Sequence, residues 1–162
     1  MDKILISRCL LGEPVRYDGA GKAVTHALLR LWQQQGRLVP VCPEMAGGLG
    51  CPRPAAEIRG GRGSRVLDGQ AQVTTSDGLN VSRAFIRGAE VALHLCRTHD
   101  IRYALLKSRS PSCGNAETYD GSFSGSLVAG EGVTAALLQR HGIHCYNESQ
   151  LQQLAAQLDQ RA

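Results

Sequence analysis

No stretch of the 162-residue sequence stays apolar for more than a few residues, so no segment has the length to span a bilayer. The first residues, MDKILISRCLLG, lack the basic leader, long apolar core and small-residue cleavage site of a secretory signal. A cytoplasmic protein without membrane association is therefore expected. Internal repeats, heptads and low-complexity linkers are also missing, which excludes solenoids and coiled coils and points to one domain over residues 1–162. Excess charge of one sign is small too. A net charge of +4 would help attract a phosphate-bearing small molecule, but it is weak for a dedicated nucleic-acid binder.

What the chain does have is six cysteines. In a reducing compartment these do not form a disulfide framework; each is a buried small hydrophobe, a metal ligand or a nucleophile. Their meaning depends on where the fold puts them. Residues 3–9 (KILISRC), 37–42 (RLVPVC), 102–107 (RYALLK) and 143–146 (IHCY) read as strands, with Pro40 weakening the second for a central position. Helical periodicity covers 25–35, with Thr25 as candidate N-cap, a long helix from a cap at Asp77 or Asn80 through His99, 130–141, and a polar terminal helix over 148–161. The Gly-, Pro- and Arg-rich stretch 43–64 reads as loop, followed by a small hairpin around Val66 and Val73.

Strands alternating with helices predict an α/β fold: a single Rossmann-like, doubly wound domain with a mostly parallel four-stranded sheet in order 2-1-3-4 and a small hairpin insertion. Such a fold places its crevice at the carboxyl ends of the strands, where the order reverses. Cys9 ends the first strand, Cys42 ends the second and Cys113 follows the third, so three distant cysteines are expected to converge there.

Three converging thiolates without a fourth suit a metal site with one open position, either an iron–sulfur cube or a zinc ion. Cys42 and Cys51 each precede a proline, as ferredoxin cluster cysteines do. Cys51 shares the second loop and is an alternative ligand to Cys42, whereas Cys96 and Cys145 read as core. Glu44, two residues past Cys42, can reach anything bound there and act as general base. Ser110 and Ser112, beside Cys113, offer hydroxyls to a cluster sulfur or a substrate. Arg16, Tyr17 and Asp18 follow the first cysteine and are candidate substrate contacts, while Arg53, Arg59, Arg62 and Arg65 follow the second. The entry Gly130-Glu131-Gly132 offers backbone N–H groups for an anion. A cysteine-phosphatase reading fails on spacing: six residues separate Cys9 from Arg16, where five are needed, and no late Asp–Pro loop is present.

Together CLLGEPVRYDG (9–19), PVCPEMAGGLGCPRPAAEI (40–58), LKSRSPSCG (106–114), YDGSFSGSLVAGEGVTAALL (119–138) and GIHCYNE (142–148) resemble the domain-of-unknown-function family that includes the thiouracil desulfidases. The resemblance implies a 4Fe–4S cluster on Cys9, Cys42 and Cys113, with Cys51 able to replace Cys42, and a catalytic role for Glu44. It implies non-redox, hydrolytic removal of sulfur from a thiolated pyrimidine base, nucleoside or nucleotide such as thiouracil or 4-thiouridine monophosphate. In this family thiolated tRNA goes with an appended second domain, so a small molecule rather than tRNA is the expected partner. The competing reading from a different class is a binding or sensing module, in which a zinc or cluster closed by a fourth cysteine, Cys51, only shapes the fold.

Overall fold

The structure is a computed structural model that describes residues 1–21 and 26–160. Strand β1 (Ile4–Ser7) runs into a 3-10 turn (Arg8–Leu11), followed by α1 (Ala27–Gln34), β2 (Leu38–Val41) and the single-turn α2 (Pro43–Ala46). Then come β3 (Ala56–Arg59), α3 (Gly63–Leu67), β4 (Gln72–Thr75) and the long α4 (Ser82–Thr98). The second half contains β5 (Tyr103–Leu106), β6 (Glu117–Tyr119), β7 (Leu127–Ala129), α5 (Val133–Arg140), β8 (His144–Asn147) and α6 (Leu151–Gln160).

β1, β2, β5 and β8 form one parallel sheet, while β3–β4 and β6–β7 form two antiparallel pairs. The α/β class and parallel four-stranded sheet are as expected. The order is not 2-1-3-4 but β2-β1-β5-β8, because two antiparallel pairs intervene in the chain and the expected third and fourth strands are the fifth and eighth. One hairpin was expected around Val66 and Val73. Val66 instead lies in α3, and Val73 in β4 pairs with Ile58 of β3, inside the stretch read as loop.

Alternation along each central strand feeds both faces of the sheet. Ile4, Ile6, Tyr103 and Leu105 pack with Leu29 and Trp32 of α1 and Leu151, Leu154 and Leu158 of α6. Leu5, Ala104 and Leu106 face the other way, onto Ala92, Leu93 and Cys96 of α4 and Ala135 and Leu138 of α5. β2 is an edge strand, and this explains how Pro40 is tolerated. Thr25, the expected cap of the first helix, lies outside the described residues, as does Arg161; the ring Nδ1 of His26 accepts from the Leu28 amide and caps α1. No helix among the described residues is long and apolar enough to cross a membrane.

Candidate functional site

Each cysteine of the predicted trio leaves the sheet on a differently built segment. Cys9 sits in the 3-10 turn just beyond β1, not in the strand itself, and Gly12 ends that turn with φ +89°. Cys42 immediately follows β2 and forms the N-cap position of α2, with Pro43 opening the helix. Cys113 lies in the loop after β5, whose turn is fixed by Ser110: its Oγ accepts from the amides of Ser112 (3.1 Å) and Cys113 (3.0 Å).

The loop carrying Cys113 is seated on the start of α5. The amides of Gly132, Val133 and Thr134 donate to the carbonyls of Gly114, Pro111 and Ser112 at 2.7–2.9 Å. The N–H groups expected to bind an anion at this helix entry therefore position the cysteine loop instead. On the other side, α2 is pressed directly on α4. A Cβ added to Gly88 would lie 1.9 Å from the Pro43 carbonyl oxygen, and one on Gly47 would lie 1.9 Å from that of Ala84. Only glycine permits this approach, and it fixes the backbone that carries Cys42 and Glu44.

The three thiols line one cavity of about 590 Å³ at the carboxyl ends of β1, β2 and β5, a volume typical of small-molecule sites. Cys9 and Cys113 are buried and Cys42 is half-buried; all three are free thiols. Burial pushes Cys9 up to about 11, with Lys107 opposing it, and raises Cys42 and Cys113 as well. Such thiols stay neutral at ordinary pH unless a cation takes the place of the proton, which is how a metal or cluster deprotonates its ligands.

Among the described residues, no three His, Cys, Asp or Glu side chains are grouped so as to hold one metal ion. A tetrahedral zinc needs thiolates about 3.8 Å apart, from a bond of about 2.3 Å. In a cluster each thiolate binds a different iron, so the sulfurs stand farther apart around a larger group. The chemistry of the donor set, three free thiols on the wall of one cavity, fits a thiolate-ligated cluster.

Glu44 lines the same cavity, its side chain 18% exposed. Burial raises its pKa, with the Arg53 guanidinium opposing the shift. Arg53, only 7% exposed, reaches Glu44 Oε1 through Nε at 3.3 Å and donates to the carbonyls of Gly50 (2.9 Å) and Val15 (3.1 Å). It ties both cysteine loops to the carboxylate.

Arg16, Tyr17 and Ser110 also line the cavity, whereas Ser112 and Asp18 are not part of its wall. Ser112 is buried and its hydroxyl pairs with that of Thr134 at 2.7 Å; the Asp18 carboxylate accepts from the Ala20 amide at 3.0 Å. Cys51 is turned away, its thiol directed to the carbonyls of Pro14 and Arg16 at 3.2 Å each. Cys96 is buried in the core as expected, and Cys145 packs half-buried against it. Of Arg53, Arg59, Arg62 and Arg65, only Arg53 lines the cavity. Lys107, Glu57, Tyr119 and Phe123 line it without having been singled out in the sequence. Lys107 is the last residue of the third predicted strand, which signals the carboxyl end; the other three come from hairpins or loops with no such cue.

A family model described as 2-thiouracil desulfurase matches residues 4–150. The chain belongs to this family. A solved structure described as the [4Fe-4S]-dependent thiouracil desulfidase TudS superposes with a TM-score of 0.90 at 48% identity, covering 98% of this chain and 99% of that one. An uncharacterised protein of Bacillus subtilis (strain 168), YbbK, is 39% identical over 148 residues, 91% of this chain and 97% of its own. The family model and both of these proteins therefore cover nearly the full length of the chain.

Proposed function

We propose that residues 1–162 act as one cytoplasmic desulfidase unit, dependent on a 4Fe–4S cluster held by Cys9, Cys42 and Cys113. Its substrate is a thiolated pyrimidine base, nucleoside or nucleotide, such as thiouracil or 4-thiouridine monophosphate, and not thiolated tRNA. The observation that carries this reading is the donor set: three thiols and one largely buried carboxylate share one cavity, in a chain 48% identical to a [4Fe-4S]-dependent thiouracil desulfidase.

When bound, the cluster supplies an iron without a protein ligand, a Lewis acid for the thiocarbonyl sulfur. Glu44 takes the proton of the attacking water and returns it toward the ring nitrogen. Partial desolvation makes this carboxylate a stronger base, and Arg53 keeps it aimed into the cavity. Ser110 Oγ accepts two amide protons, so its own proton is available to the substrate. Arg16 and Tyr17 contact the substrate from the cavity wall. Water supplies the new carbonyl oxygen and sulfur leaves as hydrosulfide, so the ring keeps its oxidation level and no electron donor is required.

The test is Glu44→Gln in anaerobically prepared protein. Cluster content should remain and kcat should fall about 10²–10⁴-fold, the usual worth of general acid–base assistance. Full cluster with a loss smaller than about tenfold would remove Glu44 from the mechanism.

A further inference from the structure

The loop between β6 and β7 carries a feature that the thiol site does not explain. Phe123 stands there with φ +58°, a left-handed conformation that a bulky side chain rarely adopts. Among the described residues only three non-glycines have positive φ, and two of them, Arg109 and Phe123, line the cavity of Cys9 and Glu44. Strain of this kind persists only where surrounding structure enforces it.

Here the enforcing group is Glu57 of β3. Its Oε1 accepts from the amides of both Gly121 (2.9 Å) and Phe123 (3.2 Å), although Glu57 is only 9% exposed. Gly121, with φ +94°, lies so close to β3 that an added Cβ would stand 2.7 Å from the Ile58 carbonyl oxygen. The loop closes on itself through Asp120 N–H to Ser126 C=O at 2.9 Å. A buried carboxylate and a strand thus hold the loop in one strained shape.

The side chain so positioned is half-buried and takes no part in the packing of any of the three hydrophobic cores. Phe85, the other phenylalanine, is fully buried. An aromatic ring held beside a catalytic cavity but outside the core has its face available to a flat ligand. We propose that Phe123 is the stacking platform for the pyrimidine ring, and that it makes the site selective for planar, unsaturated thiocarbonyl rings. This rests on the desulfidase reading and adds what sets its substrate class. Glu57 is the positioning residue that holds the platform.

Stacking of a base on an aromatic side chain is worth about tenfold to a hundredfold in binding. The experiment compares 2-thiouracil with 5,6-dihydro-2-thiouracil, which keeps the thiocarbonyl and its flanking nitrogens but has a saturated, puckered ring. Turnover is measured on anaerobic holoenzyme, and binding of uracil and dihydrouracil is measured calorimetrically. Wild type should prefer the planar member of each pair. Phe123→Leu should keep its iron and lose about tenfold to a hundredfold on the planar compounds, mostly in KM, with little change on the saturated ones. Phe123→Tyr should restore the preference, and Glu57→Gln should retain more of it than Glu57→Leu.

Turnover of thiouracil by Phe123→Leu with the ring preference intact would overturn the proposal and leave the desulfidase reading standing. Absence of turnover in wild type, with uracil binding still dependent on Phe123, would do the reverse. Equal loss on planar and saturated ligands would reduce Phe123 to a structural residue and overturn the proposal as well.

Discussion

Gly88→Ala is a one-methyl perturbation outside the cavity that should damage the site more than the fold. The added Cβ would stand 1.9 Å from the Pro43 carbonyl oxygen. Carbon–oxygen contacts settle near 3.3 Å, so α2 and α4 would have to separate by about 1.4 Å. Overpacking of this kind costs roughly 1–3 kcal/mol, and alanine in a helix interior returns about 1 kcal/mol over glycine. The net destabilisation is then about 0–2 kcal/mol, a fall in Tm of at most about 8 °C for a chain of this size. Cys42 and Glu44 ride on the displaced backbone, and a shift of about 1 Å in a catalytic group can cost about 10²-fold. The assay is kcat on 2-thiouracil under anaerobic conditions, with iron per chain and thermal unfolding measured on the same sample. A folded Gly88→Ala protein with full iron and wild-type kcat would refute the claim that the α2–α4 contact sets the position of Glu44.

Six cysteine substitutions and one chemical treatment separate ligands from bystanders. Cys51→Ala should retain iron, since its thiol points to the Pro14 and Arg16 carbonyls, while Cys42→Ala should lose it; the opposite result in iron analysis would move the ligand set to Cys9, Cys51 and Cys113. Cys9→Ser and Cys113→Ser should each abolish the visible iron–thiolate absorption, while Cys96→Ser and Cys145→Ser should keep it. Burial pushes Cys96 and Cys145 each up to about 12, so only about one molecule in 10⁴–10⁵ carries a thiolate there near pH 7.5. Iodoacetamide should leave both unmodified in the native protein at that pH, as read by mass spectrometry, and labelling should grow as pH rises.

The central layer of the fold was legible because its strands are short apolar runs separated by helical periodicity; the first three survive with trimmed ends and the fourth is shifted by one residue, to His144–Asn147. The antiparallel pairs were legible only in part: a small hairpin was expected at Val73, which does lie in β4, but its partner strand is β3 and not the residues around Val66. β6 and β7 are three residues each, with the serine- and glycine-rich segment 120–126 between them, too short for alternation to register. α2 escaped notice because a single turn has no period. The trio Cys9, Cys42 and Cys113 could be placed because parallel topology dictates where strand ends meet, irrespective of sequence distance. Ser112 could not be told from Ser110 on that basis; which hydroxyl faces the cavity depends on the turn that Ser110 itself caps. Arg53 stood among four arginines that follow Cys42, and the fold of the second loop back onto Val15 distinguishes it. Phe123 sits in a serine–glycine loop whose conformation is enforced from β3 by Glu57, a long-range contact with no local signature.

Iron, acid-labile sulfide and zinc, measured on anaerobically purified protein alongside its conversion of 2-thiouracil to uracil and hydrosulfide, bear most directly on the proposed function. About four irons and four sulfides per chain are expected, with turnover that scales with iron content and needs no electron donor. Stoichiometric zinc without iron, or full turnover by the metal-free chain, would contradict it.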